Sequence, residues 1–254
     1  MPVQLTVATF NIRNGRAPDR YNHWLLRRRT TARWFRGLNA HVVGLQEVYP
    51  FQRRYLSRRW PGASVAGRGR DAGGGGEQVP VFVHRPFVID AVRYRWFSAT
   101  PEVPGSLLGK AKMPRMATIV TVLHPPTGTR FRVVNVHLDH RFEANRRASA
   151  VQIVRDELDD DLPTVLLGDF NADPERSVLY QDLEDGGFRR LAYDGTSFNG
   201  WRHTLDHRDG QLDQILLRDG GGLRWEAGYT RLVWSPMGRV PSDHWPLLAP
   251  LTLG

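Results

Sequence analysis

Short apolar, β-prone runs that stop on an Asn, Asp, Glu or His recur along this chain, and this limits the folds open to it more than any other feature. Val3–Phe10 stops at Asn11, and His41–Leu45 stops at Gln46-Glu47. Phe131–Leu138 carries His137 near its end and runs into Asp139-His140. Thr164–Leu167 gives way to Gly168-Asp169-Phe170-Asn171, Asp213 lies near the start of Gln211–Leu217, and Asp243-His244 precedes Trp245–Leu251. Any one of these has an ordinary explanation. Asp169 and Asn171 ahead of Asp173-Pro174 would make a good turn, and His137 alone would pass as a core or surface histidine. The set asks for more. Two sheets packed face to face bring strand ends to a common rim, where several carboxylates repel one another unless a cation sits among them. Oxygen-rich ligands with few nitrogens suit Mg²⁺ or Mn²⁺, which polarise a phosphoryl oxygen and help to generate the attacking hydroxide. Imidazoles and amides then supply donors as charge builds on the non-bridging oxygens. The pattern points to hydrolysis of a phosphate ester.

The rest of the chain supplies the frame. His23–Leu38 spaces Trp24, Leu25, Ala32, Phe35 and Leu38 at near-helical intervals. Arginines fill most of its remainder and read as a solvated basic face ahead of a nucleic-acid-binding one. Glu143–Leu158 and Ser177–Leu183 predict helices; Val79–Val83, Phe87–Phe97, Met116–Leu123 and Leu223–Val233 predict strands. This uneven alternation predicts a mixed α/β (α+β) domain. With no repeat and no shift of composition, residues 1–254 read as a single domain. Gly73–Gly76 is the one low-complexity piece and reads as a mobile loop.

Composition narrows the chemistry. The chain has no cysteine, which excludes disulfides, thiol catalysis and zinc sites built on Cys, so a metal must bind through oxygen and imidazole. No apolar run reaches the roughly 18 residues of a membrane span. The N-terminus lacks a basic region followed by a long apolar stretch, so the expected location is cytoplasmic. A formal net charge of +9 suits an anionic partner. Lys110 and Lys112 are the only lysines, however, and GC-rich coding would account for the arginines as well, so the charge is mild support.

The order Thr9-Phe10-Asn11, Leu45-Gln46-Glu47, Asn135-Val136-His137-Leu138-Asp139, Gly168-Asp169-Phe170-Asn171, Leu212-Asp213 and Ser242-Asp243-His244 resembles the endonuclease/exonuclease/phosphatase superfamily. That group includes pancreatic-type DNases, apurinic endonucleases, bacterial sphingomyelinases and inositol polyphosphate phosphatases. The match runs from about residue 5 to residue 250. The resemblance implies a four-layer α/β/β/α sandwich of two mainly antiparallel sheets, with the site at one edge. It implies that Glu47 is the principal metal ligand, that Asn11 holds metal or phosphate, and that Asp243 approaches the metal. Asp169 would orient or deprotonate the attacking water, with Asn171 beside it on the phosphate. His137 would face the scissile phosphate or the leaving oxygen, and Asp213 would pair with His244. Attack would be in line, without a covalent intermediate.

A closer resemblance is to a bacterial branch of metal-dependent hydrolases of undefined substrate. It rests on Trp24 with Arg27, Gly67-Arg68-Gly69-Arg70-Asp71, Gly76-Glu77, Trp96-Phe97-Ser98, Arg115, and His137-Leu138-Asp139-His140 with Arg146. Arg13, Glu77, Arg115 and His140 become candidate substrate-binding residues. Arg13 departs from the DNA-repair members, which carry an acidic residue there; it removes one potential ligand and adds a cation near the phosphate. The leading expectation is a phosphodiesterase with DNA or RNA as its first candidate substrate. The alternatives are a lipid- or sugar-phosphate hydrolase and, from another class, a catalytically idle nucleic-acid-binding module. No obligate protein partner is expected, and a monomer fits the family.

Overall fold

A computed structural model describes every residue except 157 and 159. Two sheets carry the chain. Seven strands form the first, in the order β11 (Trp225–Ala227), β13 (Leu247–Leu253), β1 (Val3–Asn11), β2 (Val42–Gln46), β4 (Val81–His84) and β3 (Ala63–Ala66), with β12 (Arg231–Leu232) also on β13. Six form the second: β5 (Val88–Trp96), β6 (Met116–His124), β7 (Thr129–His137), β8 (Thr164–Asp169), β10 (Asp213–Arg218) and β9 (Arg189–Arg190). Pairing is antiparallel apart from β1–β2 and β7–β8. A parallel neighbour needs a crossover, and helices α1 (Trp24–Gly37) and α3 (Glu143–Asp156) lie in those two connections.

Alternation along the strands explains the layers. Successive side chains point to opposite faces, so Val7, Val133 and Val165 enter the core between the sheets while Ala8, Val134 and Leu166 face outward. The outer face of the first sheet is covered by Trp24 and Phe35 of α1 and Leu56 of α2 (Pro50–Ser57). The outer face of the second is covered by Ala150 and Ile153 of α3 and Leu179 and Leu183 of α4 (Leu179–Asp185). The result is the α/β/β/α sandwich. Among the described residues, no helix is long and apolar enough to cross a membrane.

Several local expectations change. Leu25 is 61% exposed, because the buried face of α1 is completed by Arg27 and Thr31 instead. The run 223–233 is two short strands, broken at Gly228-Tyr229-Thr230. Helix α2 and strands β3 and β9 were not anticipated from periodicity. α2 starts at Pro50, and Gln52 accepts hydrogen bonds from the backbone N–H of Tyr49 at 3.1 Å and of Gly15 at 2.8 Å, which ties the helix to the loop after β1. The helix expected over 143–158 is described to Asp156, and residue 157 lies outside the described residues. The Gly73–Gly76 loop is a hydrogen-bonded turn, with Asp71 N–H donating to Gly75 O and Gly74 N–H to Asp71 O.

The sheets approach closely beneath the rim. A Cβ on Gly44 would lie 2.1 Å from Leu167 Cδ1 and 2.8 Å from Asn135 Cγ. Asn135 is committed there, donating to the carbonyls of Leu45 and Pro80 and accepting from Gln46. Gly44→Ala should therefore destabilise the protein by about 1–3 kcal/mol, as overpacking of a filled core does. Chemical denaturation checks this; an unchanged midpoint would mean that the sheets can part there without loss.

Candidate active site

Strand register assembles the rim. β1 ends at Asn11 opposite Gln46, which places Glu47 just past β2 on the same edge. Parallel β7 and β8 set His137 beside Asp169, and antiparallel β10 sets Asp213 beside Asp169 from the other side. His244 lies just ahead of β13, bridged to Phe198. Above them is a cleft of about 600 Å³. Of the candidate catalytic, substrate-binding and metal residues, all line it except Asn11 and Asp213, which are fully buried.

Asp169 is the hub. Its Oδ2 accepts from Asn11 Nδ2 at 2.9 Å and lies 3.7 Å from His137 Nε2 and 3.8 Å from His244 Nε2. Its Oδ1 accepts from the backbone N–H of Asn171 at 2.9 Å. Burial pushes this carboxyl up to about 7; His244 opposes the rise and Asp213 adds to it. His244 Nδ1 meets Asp213 Oδ2 at 2.7 Å. Burial alone would lower His244, but the Asp213 charge and hydrogen bond overcome it and raise the imidazole to about 10. This pairing favours the imidazolium, with Nδ1 donating to Asp213. His137 goes the other way: burial, then Arg115 and Arg70, push it well below the usual histidine range, so it stays neutral.

On the opposite wall, Glu47 Oε1 accepts from Asn11 Nδ2 at 3.1 Å and Oε2 from the Asn14 N–H at 2.9 Å. Burial works against its charge, but Arg13 and these hydrogen bonds hold the carboxyl below its ordinary value. Arg13 is held by a two-pronged contact with Asp19 at 3.0 and 3.1 Å, with Nε 3.6 Å from Asp243 and Nη1 3.9 Å from Glu47. Three residues of the rim, Arg13, Glu47 and Asn171, have φ of 55°, 59° and 50°. Such left-handed backbone is uncommon outside glycine and clusters where function holds it in place.

Other residues matter that sequence reasoning passed over or read otherwise. Arg27 is fully buried and donates to the carbonyls of Ile12 at 2.7 Å, Arg13 at 2.8 Å and Pro241 at 3.2 Å, tying the Asn11 loop to the one carrying Asp243 and His244. Burial pulls its pKa down to about 10. Asn199 donates to Ser242 O, and the Phe198 ring meets His244 edge-on at 5.0 Å. Nothing in the local sequence signals either of these two. Asp139, inside the His137 motif, serves α3 by accepting from the N–H of Arg141 and Phe142 and from Asn145. Glu77 is engaged by Arg70 at 2.8 Å, so it fixes a cation in the cleft wall.

A divalent cation fits this set. Burial raises both Asp169 and Asp243, and Asp213 Oδ1 is buried without a hydrogen-bond partner. A cation would relieve that accumulation of carboxylates. Among the described residues, Asp169, Asp213 and His244 bring ligand atoms within 4.8 Å of one another. His244, however, spends its Nδ1 on Asp213 and carries a positive charge. Glu47 and Asp243, with the Asn11 amide between Glu47 and Asp169, therefore offer the better oxygen donors for Mg²⁺ or Mn²⁺.

The model of the Endonuclease/Exonuclease/phosphatase family matches residues 8–244. An endonuclease/exonuclease/phosphatase family protein from Bacteroides thetaiotaomicron superposes with a TM-score of 0.89 at 27% identity, over 99% of this chain and 96% of that one. The mannosyl-6-phosphatase of the same organism gives a TM-score of 0.85 at 27% identity, over 97% and 99%. D. rerio TDP2, complexed with single strand DNA product, shares the fold at a TM-score of 0.74 and 15% identity, over 98% of each chain. No curated protein matches in sequence. By the order of its strand-end residues, its two-sheet sandwich and its family model, the chain belongs to the endonuclease/exonuclease/phosphatase family and is a phosphoric ester hydrolase.

Proposed function

We propose that the protein hydrolyses a compact phosphate ester, of the sugar-phosphate class, by in-line attack of water with a divalent cation. The observation that carries this reading is the placement of Asp169 between the Asn11 amide and two imidazoles, across the rim from Glu47. A cation held by Glu47, with Asn11 and Asp243 beside it, would polarise a non-bridging oxygen. Asp169, whose burial favours uptake of a proton, takes the proton from the attacking water as general base. His244, kept protonated by Asp213, donates from Nε2 to the oxygen on which charge develops. As the bond from phosphorus to the ester oxygen breaks, the leaving oxygen, faced by neutral His137, takes up a proton from solvent as the sugar hydroxyl, and Asn171 and Arg13 hold the phosphate.

Size and charge support the compact substrate. A cleft of about 600 Å³ lies in the range of small-molecule sites. Glu77, Glu143, Asp173 and Asp209 share its wall with the arginines, which does not suit a long polyanion. A neighbour at 27% identity over nearly the whole chain is a sugar phosphatase. The nuclease reading is favoured by the net charge of +9. A panel of hexose 6-phosphates, bis(p-nitrophenyl) phosphate and single-stranded DNA, assayed with Mg²⁺, Mn²⁺ and EDTA, separates the two. The expected result is metal-dependent release of inorganic phosphate from a sugar phosphate, abolished by EDTA and weakly dependent on salt. DNA as the best substrate, with affinity falling by about 10³ or more between roughly 50 and 200 mM salt, would give the protein to the nucleases.

A further inference from the structure

Arg115 stands just ahead of β6 and lines the cleft, yet it is only 7% exposed. Its partners are neutral. Nη2 contacts His140 Nδ1 at 3.1 Å, Nη1 approaches the carbonyl of His137 at 3.5 Å, and Nε has no hydrogen-bond partner. The acid across the cleft wall, Glu77, is taken by Arg70 at 2.8 Å. Among the described residues, Arg115 thus has no carboxylate partner, although a buried guanidinium is costly unless paired. Burial and the neighbouring Arg70 both weigh against its charge, and the more distant Glu77, Asp169 and Glu47 offset them only in part. An anion supplied from outside would offset both.

Location separates this position from the reacting centre. The sheet order β6-β7-β8 puts the start of β6 two strands from the end of β8 that carries Asp169. Neighbouring strands lie about 4.8 Å apart, so the two positions are offset by roughly 10 Å along the rim. Arg115 emerges on the reactive edge because β6 runs antiparallel to β7, whose last residue is His137. Its guanidinium therefore faces the same cleft from beyond His137, where the charges of Glu77, Asp169 and Glu47 reach it without forming an ion pair.

We infer that Arg115, seated on His140 and flanked by Arg70, is an anion subsite beside the reacting centre, and that the substrate carries a second anionic group, phosphate or carboxylate, bound there. The inference rests on reading the rim as a phosphate-ester site, and it specifies the class of ester. A sugar bearing two anionic groups and a short nucleotide present the same chemistry to Arg115. A neutral hexose 6-phosphate would leave the subsite empty and be a poorer substrate.

Direct anion binding tests this without turnover. Inorganic phosphate is titrated into the full chain in EDTA, followed by calorimetry, so that the carboxylate-rich reacting centre has no metal ion to draw phosphate there. The wild type should bind one phosphate per chain. Arg115→Gln should weaken binding by about tenfold or more, as expected for loss of a charge-assisted contact. Arg115→Lys should recover part of it, and Arg33→Gln, at an exposed arginine of α1 outside the cleft, should leave it within about twofold. Equal binding by wild type and Arg115→Gln would overturn the inference, as would an equal loss in Arg33→Gln, which would mark the binding as unspecific. Should Arg115→Gln fail to fold, Arg115→Lys with His140→Gln is the working pair, and retention of full phosphate affinity in both would be equally fatal. Displacement of phosphate by a hexose bisphosphate or by a short oligonucleotide then identifies the source of the anion. Because no step needs hydrolysis, a protein inactive on every ester would still give a clear answer.

Discussion

Asp169→Asn will lower metal-dependent hydrolysis by about 10³-fold, the range over which a positioned general base contributes, while leaving the fold in place. The substitution keeps the shape of the side chain and an oxygen that can accept from Asn11 or Asn171, both of which Asp169 engages at 2.9 Å. It also removes a buried charge from a position where burial already raises the carboxyl to about 7. Stability in the absence of metal should therefore hold or rise slightly, and the loss should appear in kcat more than in KM. The discriminating measurement is kcat/KM on the best substrate beside a thermal melt in EDTA. Turnover at the wild-type rate would remove Asp169 from the mechanism. A collapsed melting curve would make it a structural residue instead.

Glu47→Gln should abolish the response to Mg²⁺ and Mn²⁺. Glu47 holds its charge below the ordinary carboxylate range despite burial, because Arg13, Asn14 and Asn11 all favour the ionised form. Its backbone sits at φ 59°, a conformation kept only where the surroundings impose it. The amide cannot supply the same charge to a cation. Affinity for metal should fall by roughly 10²-fold or more, since even residues one shell further out cost 10–100-fold. A thermal melt reads this directly. At about 100 times its dissociation constant, a cation that binds only the folded chain stabilises it by about 2.7 kcal/mol. The wild type should show that shift with Mn²⁺, and Glu47→Gln should show almost none at the same concentration. An unchanged shift would place the cation elsewhere, with Asp169 and Asp213 as the next ligands to vary.

Arg13 sharpens the same point. Its guanidinium lies 3.6 Å from Asp243 and 3.9 Å from Glu47, anchored by Asp19. The sequence comparison had given it a role near the phosphate. The structure adds that it partly neutralises the carboxylates on which a cation would rely. Asp19, its strongest partner, had no signal in the sequence, because an Asp in a turn-rich loop is commonplace.

The sequence by itself determined which residue types close the strands and where the apolar runs lie. Val3–Asn11, Thr164–Asp169 and Leu247–Leu253 are close to their expected bounds because buried strands must be apolar and their alternation is written in consecutive positions. The chemistry at their ends was legible for the same reason, since each motif is local. Only the tertiary structure decided what those residues do to one another. Asn11 reaches Asp169 across 158 positions, and His244 reaches Asp213 across 31. Nothing local says that the same Asn11 amide also reaches Glu47, or that Asp139 turns to α3 while Asp169 keeps the cleft. Arg27 and Arg115 make the contrast plainest. Arg27 belongs to a helix that reads as a solvated basic face and Arg115 reads as a candidate substrate-binding residue, yet one is buried among carbonyls and the other is almost wholly buried against His137 and His140, because burial is a property of what packs around a side chain and not of its own chemistry.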